Sequence, residues 1–106
     1  MESPLLVIMG HTGCGAVKAA VDDSAVEGKI RDIQRQIEPI AAKTKKEHPD
    51  LFGTDLIDAV VKNNVLQAKK DIVSLSHIVE EMAGAGKLKI VTAVYDIKTG
   101  KVGWIE

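Results

Sequence analysis

Leu5-Leu6-Val7-Ile8-Met9-Gly10-His11-Thr12-Gly13-Cys14-Gly15-Ala16-Val17-Lys18-Ala19-Ala20 reads as three elements in succession. The run Leu5 to Met9 is apolar, contains β-branched residues and is too short for a long helix, so it predicts a buried strand. Glycines then break the pattern into a tight turn, and a small-residue segment from Cys14 to Val21 starts a helix. The turn carries the only cysteine of the chain three positions after a histidine. Gly10, Gly13 and Gly15 let the backbone take positive φ or come close to whatever His11 and Cys14 hold. An imidazole and a thiolate at that spacing can bind the same zinc ion. A thiolate near a helix N-terminus is stabilised by the unpaired N–H groups and the dipole there, which favours metal ligation. The plainer use of the same residues is a small buried thiol and glycines that only turn the strand.

The remainder of the chain sets bounds on the function. Its 106 residues make one domain, and a chain of this size buries roughly 60 to 70% of its unfolded surface. With 27% charged residues and a formal net charge of -1 there is no basic field for nucleic acid. Single Phe52, Tyr95 and Trp104 also argue against a base-stacking surface. One cysteine excludes an intrachain disulfide, and the cytoplasm is the default compartment. The run Leu5 to Met9 is too short for a membrane span and lacks the pattern of a signal peptide.

Beyond the first helix, Ser24 and Glu27 fit a capping box for a second one. There Ile30, Ile33, Ile37 and Ile40 line one face, with Arg31, Asp32, Gln34 and Arg35 mostly turned outward. Pro39 is expected to kink this helix or end a first section, leaving Lys43 to Glu47 as a solvated stretch. Thr54 or Asp55 can cap a third helix with Ile57, Val60, Val61, Val65, Ala68 and Ile72 on its apolar face. Asn64 interrupts that stripe and is expected to make a structural hydrogen bond. Ser74 can cap a short fourth helix with Leu75, Ile78, Val79 and Met82 inward, stopped by Gly84 or Gly86. His77, in its first turn, reads as a surface histidine. Leu88 to Tyr95 is a mostly buried strand, Asp96 to Gly100 a turn, and Val102 with Trp104 the last strand of an antiparallel hairpin.

Two of these stretches carry a resemblance. The string from Pro4 to Ala20 resembles the second zinc-ligand segment of the β-class carbonic anhydrases, and Gly86 to Val102 resembles the closing hairpin of that family. The likeness runs over essentially the whole chain. It implies an α/β fold: a parallel sheet core with flanking helices and a C-terminal antiparallel strand. It also implies zinc as cofactor, with His11 and Cys14 as metal ligands. The implied activity is reversible hydration of carbon dioxide to bicarbonate, in which zinc lowers the pKa of its bound water towards ~7.

The family's Cys-x-Asp-x-Arg segment, which supplies another thiolate and an Asp-Arg pair, has no counterpart in the sequence, where the only arginines are Arg31 and Arg35. The chain therefore looks like the C-terminal portion of such an enzyme, its strands short of neighbours. A homodimer is the simplest repair of the resulting open edge and uncovered apolar face. Two ligands per chain are fewer than the three plus water usual for a catalytic zinc. The alternative is thus a non-catalytic zinc-stapled dimer, or a fragment that complements a longer chain. Asp22 and Asp23 are the carboxylates nearest the motif in sequence, and nothing places them at the metal.

Overall fold

A computed structural model describes residues 4–22, 25 and 27–105 of the chain. Ser24, half of the expected capping box, lies outside the described residues, as does Asp23. In chain order the elements are β1 (Leu5–His11), α1 (Gly15–Asp22), α2 (Gly28–Glu47), α3 (Gly53–Leu75), α4 (His77–Gly84), β2 (Lys89–Tyr95) and β3 (Val102–Trp104). The sheet order is β1-β2-β3, with β1 parallel to β2 and β2 antiparallel to β3. The parallel pairing follows from the connection, since a crossover through helices brings the chain back to start a strand in the same direction. No helix among the described residues is long and apolar enough to cross a membrane.

The helices cover one face of this sheet. Helix α3 lies against both β1 and β2, while α1 and α2 pack on each other and on α3. The buried core is correspondingly helical. Val17, Ala20 and Val21 of α1 meet Ile37 and Ala41 of α2 and Leu56, Val60 and Val61 of α3. Burial of a side chain such as Val60 stabilises the fold by roughly 1.5–3 kcal/mol. The approach of α3 to β1 is closest at Gly10, where a Cβ would stand 2.7 Å from Val65 Cγ2 and 3.0 Å from Val61 Cγ1. Glycine serves here by lacking a side chain rather than by adopting positive φ.

That contact identifies the two faces of β1. Leu6, Ile8 and Gly10 turn toward α3, whereas Leu5, Val7, Met9 and His11 face away and are exposed, Leu5 by 58% and Met9 by 49%. The expectation of a buried strand is corrected accordingly: β1 is an edge strand covered on one side. The outward apolar surface continues across the sheet through Tyr95, Val102 and the 63% exposed Trp104.

Helix α2 also departs from the reading by hydropathy. Ile37 is buried, but Ile30 and Ile33 stay about half exposed, and the buried line runs Gln34, Ile37, Ala41, Thr44. Hydrogen bonds make the polar members acceptable. Gln34 Nε2 donates to the Ala19 carbonyl at 2.9 Å and Gln34 Oε1 accepts from Arg31. Thr44 Oγ1 donates to the Ile40 carbonyl and accepts from Asn63 Nδ2 at 2.9 Å. The helix does not end at Pro39. Both Pro39 and Arg35, whose carbonyl loses its donor, face solvent, where water can replace the missing bond. Lys43 to Glu47 is the helix's last turn, with Thr44 buried within it and Lys45 Nζ bonded to the Val21 carbonyl.

At the later helices the caps shift. Phe52 precedes α3 without a side-chain cap, so neither Thr54 nor Asp55 serves there. Helix α3 continues through Ser74, whose hydroxyl bonds back to the Asp71 carbonyl, and Ser76 caps α4 by accepting from Val79 N. Helix α4 buries none of its residues fully. Leu75 and Ile78 are exposed by 86% and 70%, while Val79 and Met82 are half-buried. Exposed His77 pairs with Glu81 one turn on, as a surface histidine should.

Two substitutions test this packing by urea denaturation. Gly10→Ala forces Val61 and Val65 aside and is expected to cost about 1–3 kcal/mol. Thr92, fully buried on β2, has a hydroxyl with no hydrogen-bond partner among the described residues. Thr92→Val removes that orphan and is expected to stabilise the fold by about 1 kcal/mol.

Candidate metal site

The turn after β1 is held from both sides. Thr12 N donates to the Tyr95 carbonyl at 2.9 Å, carrying the β1–β2 pairing one step past the strand. Thr12 Oγ1 accepts from Ile97 N at 3.1 Å, which ties the turn to the β2–β3 connection. Gly13 has φ +66, and a Cβ there would come within 3.0 Å of Ile97 Cδ1, so conformation and space both call for glycine. Gly15, in contrast, starts α1 without strain or close contact. The Cys14 carbonyl accepts from Lys18 N at 2.9 Å, so Cys14 occupies the N-cap position of α1.

His11 is exposed at the end of β1 and Cys14 is a half-buried free thiol. His11 Nδ1 lies 2.8 Å from the Thr12 carbonyl oxygen. A carbonyl can only accept, so Nδ1 is the donor here and Nε2 is the ring nitrogen left for a metal. Both residues line one pocket of about 230 Å³ between β1, α1 and α3, whose other walls include Ile8, Val17, Val61 and Val65. Asn64 lines it too; the structural hydrogen bond expected of its side chain is not made among the described residues, and its neighbour Asn63 makes the bond to Thr44 instead. The two residues singled out by spacing thus line a single pocket.

The donor set suits zinc, a borderline-soft ion taken by imidazole nitrogen and thiolate sulfur, and the Thr12 carbonyl, by accepting from Nδ1, orients the ring so that Nε2 can face an ion. Two donors do not close a site. Among the described residues no group of three His, Cys, Asp or Glu side chains is arranged to hold a metal ion. Asp22 pairs with Lys18 at the far end of α1.

A second cavity, of about 440 Å³, adjoins the other side of the turn and is lined by Thr12, Gly13, Lys18, Asp58, Asp96 and Lys98 among others. Asp58 Oδ1 is buried there with no hydrogen-bond partner among the described residues. Burial, followed by repulsion from Asp55 and Asp96, raises the Asp58 carboxyl above its ordinary value of 3.8, with Lys98 opposing. The group escaped the sequence reading because Asp96 lies 38 positions away and reaches α3 only through the sheet.

The pH consequence has a definite sign. A carboxyl raised in the folded state adds stability that is fully present below the unfolded value near 3.8 and is lost as pH rises through the folded one. Asp58→Asn is therefore expected to melt higher than the parent at neutral pH, with the gap in Tm closing as pH falls below about 3.8. Thermal melts of both proteins across pH 3 to 7 measure it.

Comparison with known proteins adds a separate line of observation. A family model described as carbonic anhydrase matches residues 1–102. Carbonic anhydrase 2 of Mycobacterium tuberculosis is 26% identical over 105 residues, which cover 95% of this chain and 48% of that protein. Among solved structures, the β-carbonic anhydrase CcaA superposes with a TM-score of 0.82 at 22% identity, over 97% of this chain and 51% of that one. A tetrameric β-carbonic anhydrase from Sordaria macrospora superposes with a TM-score of 0.80 at 15% identity, over 95% and 51%. The fold is thus shared over nearly the whole chain, and the chain spans about half the length of the curated relatives it matches.

Proposed function

The chain belongs to the β-carbonic anhydrase family, and from that footing we propose that it serves the reversible hydration of carbon dioxide to bicarbonate, with His11 and Cys14 as two of the ligands of a zinc ion. The observation that carries this reading is the joint placement of the two side chains on one pocket wall, with His11 Nδ1 engaged by Thr12 and Nε2 left free. Zinc held there supplies the Lewis acidity that brings the pKa of water towards ~7. The chain's own residues do the positioning. Thr12 fixes the ring of His11, Gly13 lets the turn close against Ile97, and the start of α1 presents Cys14 to the same pocket. Apolar walls from Ile8, Val17, Val61 and Val65 suit an apolar gas and limit the water that reaches it.

Two ligands leave the coordination to be completed from outside the described residues, and the outer face of β1 indicates how. His11 shares that face with exposed Leu5, Val7 and Met9, so a surface that needs covering runs directly up to the free imidazole nitrogen. We infer a homodimer in which the two copies bring their ligand pairs together. This is also the observation that favours the alternative reading, in which paired His11 and Cys14 fill all four positions and the ion is a structural staple.

Zinc per chain in metal-replete protein separates the two. A ratio near one leaves room for water and supports the hydrating site; a ratio near one half, with negligible hydration, supports the staple. In either case Cys14→Ser is expected to lower zinc affinity by at least about tenfold, read by competition with a chromogenic chelator, because it removes the only thiolate. Unchanged zinc binding in that variant excludes Cys14 as a ligand.

A further inference from the structure

We propose that Asn64 is a ligand-binding residue of this pocket, its side-chain amide donating a hydrogen bond to an oxygen of bicarbonate held beside His11 and Cys14. The inference rests on the reading of that pair as a metal site and adds the group that grips the small oxyanion.

Two adjacent amides on α3 have separate fates. Asn63 Nδ2 donates to Thr44 Oγ1 at 2.9 Å and so belongs to the α2–α3 contact. Asn64 lies about 100° further round the helix and lines the His11–Cys14 pocket, where its neighbours on α3 are Val61, Val65 and Ala68. Its side chain is half-buried and makes no hydrogen bond among the described residues. An amide offers two donors and an acceptor, and those of Asn64 stay open to whatever enters the pocket. With its sister amide already making the structural bond, Asn64 is a polar group of this wall available to a small ligand.

The rest of the lining says what kind of partner that is. At about 230 Å³ the pocket holds a ligand of a few heavy atoms. Apart from His11 and Cys14, no titratable side chain lines it among the described residues. A neutral donor in such a wall binds an oxyanion through one directed hydrogen bond, without the full charge that would hold it tightly. It also tolerates the uncharged gas from which the anion forms. Asn64 further borders a groove on the α2 side with Gln67 and Asp71, which is the competing place for its amide.

The test uses the full ¹⁵N-labelled chain loaded with zinc and titrated with bicarbonate at fixed pH and ionic strength, with chloride as the control. The side-chain NH₂ pair of Asn64 is identified by its loss in Asn64→Leu. The expected result is a saturable shift of that pair while the Asn63 pair stays still. Bicarbonate affinity should fall about tenfold in Asn64→Leu, at unchanged zinc content. Asn64→Asp, which keeps the shape and repels an anion, should lose at least as much, so the proposal stays testable if the leucine variant folds poorly. Saturable shifts at His11 to Gly15 with the Asn64 pair unmoved, or an unchanged affinity in both variants, overturn the role of Asn64 and leave the metal site standing. No bicarbonate-dependent shift anywhere overturns the proposal together with the reading of the site on which it rests.

Discussion

The contact between Gly10 and α3 governs the rest of the molecule. A strand and a helix can approach this closely only where one of them has no side chain, and Val61 and Val65 occupy the space a Cβ would need. Because that contact seats β1, it also sets where the strand ends, and hence where His11 and the turn stand relative to α1 and α3. The same approach lines the pocket that His11 and Cys14 share. A packing constraint near the end of a strand is in this sense a constraint on the side chain one residue later.

Much of this architecture was legible in the sequence. The strand, turn and helix from Leu5 to Val21 could be read because a short β-branched run, three glycines and a small-residue segment each favour one local conformation. Parallel pairing of β1 with β2 followed from the long helical connection between them. His11 and Cys14 could be read from residue type and spacing as a pair on one turn, and the family from the residues around them. What could not be read depends on partners distant in the chain. Gln34 looked like a surface residue because its acceptor, the Ala19 carbonyl, is 15 positions away, and Thr44 is buried through Asn63, 19 positions on. The run Leu5 to Met9 is apolar on both of its faces, so alternation could not reveal that helices cover one face only.

The caps show a smaller version of the same limit. Ser74 and Ser76 are equally good starts for a helix by residue type. The outcome turns on where α3 ends, and Ser74 instead returns its hydroxyl to the preceding turn. Asp58 shows the larger version. Its carboxyl is shifted by burial and by Asp96, and no local pattern brings those two together.

The bond from Ile97 N to Thr12 Oγ1 joins positions 85 residues apart. Closing so long a loop is entropically costly, and pairings of that span are slow to form. The turn bearing His11 and Cys14 can be written locally in the sequence and still be completed only after the helical layer has delivered the closing hairpin. Where such a closure follows the main barrier, an ion bound at the turn would slow unfolding far more than it speeds folding.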